Sequence, residues 1–276
     1  MQELFGVIGN PIRHSLSPLI QNQSYQLNNI DAHFQAFHVE EENLEHAIKG
    51  LKAIGVKGFM VTVPFKNKVL PYLDEVSETA KKIQAVNVVH LFNGKYIGYN
   101  FDGRAWLSAV EEDMEINELT SQNVLLVGAG GAAQSIYYSL SQYPNVKIDI
   151  GNRTKEKADN VRRLNLSHKN TDVISLDEAE ARIDKYDLLV QTTSIGMFPN
   201  VENTPINISS LKKDAFASDI IYNPKATEFL KQAKEAGAQI QNGMKMLASQ
   251  NVLCIKKWTN NQVDVEEMLK TLEEHL

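Results

Sequence analysis

The chain has 276 residues, 43% of them hydrophobic and 22% charged, with a formal net charge of −6. That length allows two modest cores or one large one, and the composition excludes a disordered chain. With no long basic run to neutralise a row of phosphates, nucleic acid is not an expected partner. Cys254 is the only cysteine, which excludes an intrachain disulfide or a cysteine metal cluster and fits a reducing compartment. The opening Met1-Gln2-Glu3-Leu4-Phe5 has no basic n-region, and no later apolar run reaches membrane-spanning length. A cytoplasmic protein without a membrane partner is expected.

Residues 4–8 read as a short buried strand stopped by Gly9-Asn10-Pro11. Ser17 then reads as an N-cap with Pro18 at the first helical position, opening a helix to Leu27. Residues 33–39 alternate as a second strand, and 42–54 carry Leu44, Ile48, Leu51 and Ala53 close to the helical period, ended by Gly55. A third strand spans 59–63, helical segments 69–73 and 76–83, and a hairpin joins 86–92 to 96–99 around Asn93-Gly94. This alternation predicts a mainly parallel sheet with one antiparallel edge. The pattern then restarts with Val124-Leu125-Leu126-Val127, four aliphatic residues suited to a strand buried on both faces. A helix through Leu140, a strand at 146–150, a helix at 155–164 and strands at 187–191 and 217–221 follow. Residues 244–258 and 263–272 read as two closing helices with no strand between them.

A glycine-rich turn between a buried strand and a helix brings phosphate oxygens to backbone amides at the positive end of the helix. Gly128-Ala129-Gly130-Gly131-Ala132-Ala133 sits in that context and fits the dinucleotide fingerprint in its G-x-G-x-x-A form. A bare glycine cluster can be only a tight turn; the flanking strand and helix favour a nucleotide. The next strand delivers Asn152-Arg153-Thr154, where an NAD binder places an acid. The Arg153 fork suits a 2′-phosphate, with Asn152 and Thr154 as neutral partners, so NADP is the expected cofactor. A solvated Arg153 is the plainer alternative, and Asp149, two residues before Gly151, argues for caution. Thr193, in Gln191-Thr192-Thr193-Ser194-Ile195-Gly196-Met197, suits cofactor contact, although the segment can equally be an ordinary strand-to-loop transition.

Ketone reduction needs a hydride donor and a proton donor near the carbonyl oxygen, and a lysine held by a carboxylate can supply the proton. Lys66 follows a strand end and Asp102 stands where another strand gives way to a helix. From residue type alone, both can equally be solvated charges.

From Gly6 to Trp258 the chain resembles the shikimate dehydrogenase family. The resemblance rests on Gly9-Asn10-Pro11-Ile12, His14-Ser15-Leu16-Ser17-Pro18, Val61-Thr62-Val63-Pro64-Phe65-Lys66, Ala85-Val86-Asn87 and Asp102-Gly103. It continues through Gly128 to Ala133, Asn152-Arg153-Thr154, Asp219-Ile220-Ile221-Tyr222-Asn223-Pro224, and Asn242-Gly243 with Met246-Leu247 and Gln250. The resemblance implies an α/β protein with an amino-terminal, mainly parallel substrate domain, a Rossmann NADP domain, and carboxy-terminal helices that return to the first. On the sequence the boundaries fall at 1–103 with 244–276, and 104–243. The implied reaction is reversible hydride transfer between NADPH and the ring ketone of 3-dehydroshikimate, on the chorismate route to aromatic amino acids. Lys66 is the implied acid or base and Asp102 its partner. Ser15, Ser17, Thr62, Asn87, Tyr222 and Gln250 are implied substrate contacts, and Ile220 and Gly243 further cofactor contacts. Ser15 and Ser17 can also be helix caps, and a structural hydrogen bond is the preferred role for His14.

Two substrate-contacting positions depart from the family pattern. Met60 stands in place of asparagine and Phe101 in place of threonine, each a larger apolar group where a hydrogen bond is usual. Strand alternation puts Met60 on the face of Thr62. Arg13, Gln84 and Val88 also replace smaller or more polar residues. Three readings stay open: a less polar or quinate-like substrate, impaired shikimate turnover, or contacts restored by backbone shifts or water. An NADP-binding sensor that has lost turnover is the competing class, weakened by the retained Lys66 and Asp102. A monomer or homodimer acting on a small molecule, with no metal, is expected.

Overall fold

The computed structural model describes residues 2–276, which divide into two compact units: residues up to Phe101 together with Ala248–His275, and Asp102–Leu247. The first unit opens with β1 (Glu3–Gly9), α1 (Ser17–Leu27), β2 (Ala32–His38), α2 (Leu44–Ala53) and β3 (Gly58–Val61). It continues with β4 (Glu75–Val76), α3 (Glu78–Ile83), β5 (Val88–Phe92) and β6 (Lys95–Tyr99). The sheet order is β2-β1-β3-β5-β6-β4. Period-two alternation sends Phe59 and Val61 into a core with Ile8, Leu44, Ile48, Leu51, Val89 and Tyr96. Met60, between them, points to the other face and is 5% exposed.

The antiparallel pairing falls elsewhere than the sequence predicts. β5 runs antiparallel to both β3 and β6 inside the sheet, and the two-residue β4 lies parallel to β6 at the edge. Residues 76–83 are therefore not one helix. The segment around Glu75 bonds to β6 through Asp74 N–H to Tyr96 O and Ser77 N–H to Gly98 O, and α3 starts only where the Ser77 hydroxyl accepts from Ala80 N–H. Residues 69–73 form only a short 3-10 turn. The hairpin is as expected: Asn93 and Gly94 both have positive φ, 50° and 75°, which the tight two-residue turn requires.

The second unit holds β7 (Asn123–Val127), β8 (Lys147–Gly151), β9 (Thr171–Ile174), β10 (Leu188–Gln191), β11 (Phe216–Asp219) and β12 (Gln239–Gln241). All neighbours are parallel in the order β12-β11-β10-β7-β8-β9. Val124 and Leu126 pack with Ile148 and Ile150 on one face; Leu125 and Val127 pack with Leu189 and Ala217 on the other. That explains the unbroken aliphatic run of β7, because a parallel sheet is covered on both sides. The covering helices are α4 (Asp102–Asp113), α5 (Gly131–Leu140), α6 (Lys155–Arg162), α7 (Leu176–Glu180) and α8 (Glu228–Glu235). Strand order reverses between β7 and β10, the place where doubly wound sheets bind ligands beyond the carboxyl ends of their strands.

Two helices close the chain, α9 (Gly243–Thr259) and α10 (Val265–His275). The later part of α9 belongs to the first unit. Trp258 stacks on Phe5 at 5.0 Å, donates from Nε1 to Val89 O at 3.0 Å, and lies over Gly58, where any Cβ would sit 2.3 Å from that nitrogen. Among the described residues no helix is long and apolar enough to cross a membrane.

Candidate active site

In the first unit the loop after β1 carries Ser15 and Ser17. Ser17 was expected to cap α1, but it is the first helical residue, and Leu16 at the N-cap offers no side-chain bond. The Ser15 hydroxyl instead accepts the Ser17 N–H at 3.4 Å. Ser17 is buried and Ser15 half-buried. The structural hydrogen bond expected of His14 is also absent: His14 is exposed and bonds to nothing among the described residues.

Thr62 and Lys66 follow β3, both half-buried. Phe65, fully buried, anchors the turn between them, and the Lys66 carbonyl accepts Val86 N–H at 2.7 Å. The next residue, Asn87, is buried, with its backbone pinned by Val61 N–H and Tyr99 O. Its side-chain Oδ1 accepts the Phe101 N–H at 2.8 Å. Phe101 thus orients Asn87 through its backbone, whatever its side chain. The Phe101 ring lies 5.8 Å from Tyr99, over which Lys257 Nζ sits at 4.3 Å. Gln250, half-buried on α9, completes the positions in this unit.

In the second unit Asp102 is buried at the start of α4. The following Gly103 lets α4 close on α5, since a Cβ there would meet Ser135 O at 2.1 Å. The glycine-rich turn leaves β7 through Gly128, whose φ of 113° no other residue adopts easily. Gly130 and Gly131 are different. Both are exposed, neither has positive φ, and a Cβ on either would meet nothing within 4 Å. The protein's own packing therefore does not require glycine at these two positions, while an anion seated against the N-terminus of α5 would. Ala129 and Ala132 beside them are half-buried.

Asn152 at the end of β8 donates from Nδ2 to Thr154 O at 2.8 Å, shaping the turn that presents Arg153. Arg153 and Thr154 are exposed, and among the described residues Arg153 has no ion-pair partner. The acid that argued for caution is committed elsewhere. Asp149 lies inside β8, accepts the Tyr186 hydroxyl at 2.6 Å and has Arg182 at 3.9 Å. Beyond β10, Thr193 Oγ1 accepts Ile195 N–H at 3.1 Å. Beyond β11, Ile220 and Tyr222 are half-buried, and burial raises the Tyr222 hydroxyl above its ordinary value. Gly243 abuts this loop so closely that a Cβ would lie 2.0 Å from Ile220 O. Gln191 and Asp219 stand in the motifs quoted from the sequence but are given no role there, and Thr227 is not singled out; the three join the two loops inside the fold.

Two family profiles match the chain: "Shikimate dehydrogenase substrate binding domain" at residues 7–89 and "Shikimate / quinate 5-dehydrogenase" at residues 110–220. The Shikimate dehydrogenase (NADP(+)) of Geobacillus sp. (strain WCH70) is 44% identical over 276 residues, 100% of this chain and 99% of that one. The chain belongs to the shikimate dehydrogenase family. Solved shikimate dehydrogenases have the same fold. One in complex with NADP+ superposes with a TM-score of 0.92 at 36% identity, covering 99% of this chain and 96% of that one. That of Thermus thermophilus, in complex with NADP(H) and shikimate, gives 0.89 at 27% identity over 100% of both chains. The shikimate dehydrogenase fold thus accounts for both units, including the return of the carboxy-terminal segment to the first.

Proposed function

We propose that the chain is an NADP-dependent shikimate dehydrogenase of the cytoplasm, interconverting 3-dehydroshikimate and shikimate on the route to aromatic amino acids. The observation that carries this is the end-to-end match to a relative of that activity, in a chain that retains Lys66, Asp102 and the open Gly130-Gly131 turn. When bound, NADP supplies or accepts the hydride at the ring carbon. Gly128 to Ala132 would hold its phosphates by backbone N–H groups, Arg153 with Asn152 and Thr154 its 2′-phosphate, and Thr193, Ile220 and Gly243 its remaining contacts.

The first unit supplies the groups that bind and orient the substrate. Ser15 and Ser17 take the carboxylate, and Thr62, Asn87 and Gln250 the ring hydroxyls; Tyr222, which belongs to the second unit, is the further carboxylate contact that the family resemblance implies. Asn87 is suited to this because the Phe101 N–H occupies its Oδ1 and sets the amide plane. Lys66 exchanges a proton with the ring oxygen, and Asp102 is its partner carboxylate. A proton donor placed beside a developing alkoxide supplies the acid–base help that this step needs.

Phe101 adjoins Asn87 through its backbone N–H, and Met60 lies on β3 two residues before Thr62, so both would make that region of the site less polar than a polyhydroxylated ring requires. We assign them to weakened recognition of shikimate, not to a different chemistry. Steady-state assays of wild type and Lys66→Ala test the proposal. The wild type is expected to reduce NADP+ in the presence of shikimate, and Lys66→Ala to lose roughly a hundredfold or more in kcat with NADPH affinity unchanged. Wild-type kcat in Lys66→Ala would remove the lysine from the mechanism.

A further inference from the structure

Asp219 and Gln191 are the last residues of β11 and β10, face each other in register, and are both 0% exposed. A carboxylate at that depth is costly unless donors surround it. Ile221 N–H donates to Oδ1 at 2.9 Å, the Thr227 hydroxyl to Oδ2 at 2.6 Å, and the Gln191 amide to Oδ1 at 3.4 Å. Gln191 passes the connection on. Its Oε1 accepts the Thr193 N–H, and its Nε2 donates to Ile195 O at 3.2 Å. Thr227 meanwhile accepts Leu230 N–H at 3.3 Å as the N-cap of α8.

Position in the sheet says what these loops serve. The glycine-rich turn follows β7 and Arg153 follows β8, so the 2′-phosphate side of a bound dinucleotide would lie toward β8. The ends of β10 and β11 lie on the opposite side of β7, toward the other half of the cofactor.

We propose that Asp219 is a positioning residue for the nicotinamide half of the cofactor, clamping the loops after β10 and β11 into one frame through Gln191, Ile221 and Thr227. The proposal rests on the reading of those loops as cofactor contacts. Burial outweighs the bonds from Thr227, Ile221 and Gln191 and pushes the Asp219 carboxyl up to about 6. The groups facing it from β10, from its own loop and from the turn into α8 are an amide, a backbone N–H and a hydroxyl, none of them charged. An asparagine would fill the same volume without a charge to bury, so stability alone does not select an acid here. What the acid adds is acceptor capacity on both oxygens at once, which holds two loops together.

The test is Asp219→Asn, which keeps Oδ1 for Ile221 but replaces the acceptor of the Thr227 hydroxyl with a donor. Hydrogen exchange without cofactor should speed up by roughly tenfold at the amides of 193–196 and 221–227. With NADP+ and shikimate, kcat should fall by about tenfold to a hundredfold, while NADPH affinity, set mainly by the phosphate contacts, changes by less than about threefold. The thermal midpoint at pH 8 should not fall. A purely structural role predicts the reverse: a lower midpoint, with kcat per folded molecule unchanged. Unchanged exchange in both loops would overturn the clamp. Should Asp219→Asn not fold, Gln191→Met removes the relay alone, and unaltered exchange at 193–196 in that variant would overturn it too. A wild type without turnover would refute the cofactor reading and the positioning role with it, while exchange still judges the clamp.

Discussion

Gly130→Ser separates the demands of the fold from those of the nucleotide. Gly130 is the N-cap of α5, with φ −87° and ψ −171°, extended backbone open to any residue. A Cβ there meets no atom within 4 Å, and serine is at least as good an N-cap as glycine, so the protein without cofactor should be as stable or gain up to about 0.5 kcal/mol. The same Cβ and hydroxyl stand where a pyrophosphate must approach the backbone. Losing one charge-assisted hydrogen bond costs about 1.5–3 kcal/mol, which corresponds to roughly 10- to 150-fold in affinity. Thermal unfolding and NADPH titration by fluorescence, on the same preparation, give both numbers. Unchanged NADPH affinity in a fully folded Gly130→Ser would refute the assignment of this turn, because nothing else in the structure calls for glycine at that position.

Arg153→Ala should weaken NADPH by about tenfold or more and leave NADH within about twofold, since an exposed guanidinium without an ion-pair partner among the described residues is left to serve the 2′-phosphate. Equal losses in the two titrations would return Arg153 to the solvated surface. Met60→Asn with Phe101→Thr should raise kcat/KM on shikimate by roughly tenfold, about 1.4 kcal/mol of transition-state binding. The Asn87 bond to residue 101 survives because the backbone donates it. The same variant should melt lower, since Met60 is paired in register with Val7 and Val88 and an asparagine there buries an amide among aliphatic neighbours. No gain in a folded double variant would mean the two residues do not limit recognition. Stability should also respond to Asp219. Its folded-state pKa, about 6, lies above the ordinary 3.8, so its contribution is complete below 3.8 and is lost as pH rises through 6. The shift is worth about 3 kcal/mol. The wild-type stability curve minus that of Asp219→Asn should therefore fall between about pH 4 and 6; a flat difference would refute the shift.

Much of this was legible in the sequence because the signals are local. Val124-Leu125-Leu126-Val127 followed by glycines declares a doubly buried parallel strand opening onto a helix, and Asn93-Gly94 declares its hairpin. The readings that failed depended on partners far away in sequence. Glu75-Val76 looks like the start of α3 until β6 is present to pair with it. Ser17 has the chemistry of a cap, but the loop from Ile12 winds so that Ser15 supplies the oxygen. Asp149 resembled the acid of an NAD site until Tyr186, 37 residues on, took its carboxylate. α8 carries its buried Phe229, Leu230 and Ala233 at helical spacing behind the Thr227 cap, a local signal that was there to be read, whereas β9, α7 and β12 are short elements completed by neighbours. The Asp219 clamp is invisible for the same reason, since Gln191, Asp219 and Thr227 are three ordinary polar residues until β10 and β11 lie side by side.

Oxidation of shikimate with NADP is tested most directly by the initial rate of the wild-type protein with shikimate, assayed with NADP+ and with NAD+ under identical conditions. Turnover is expected with kcat/KM at least about tenfold higher for NADP+, the discrimination that the Arg153 contact should supply. No shikimate-dependent reduction of either nucleotide by folded, NADPH-binding protein would contradict it, and would leave a binding protein in place of an enzyme.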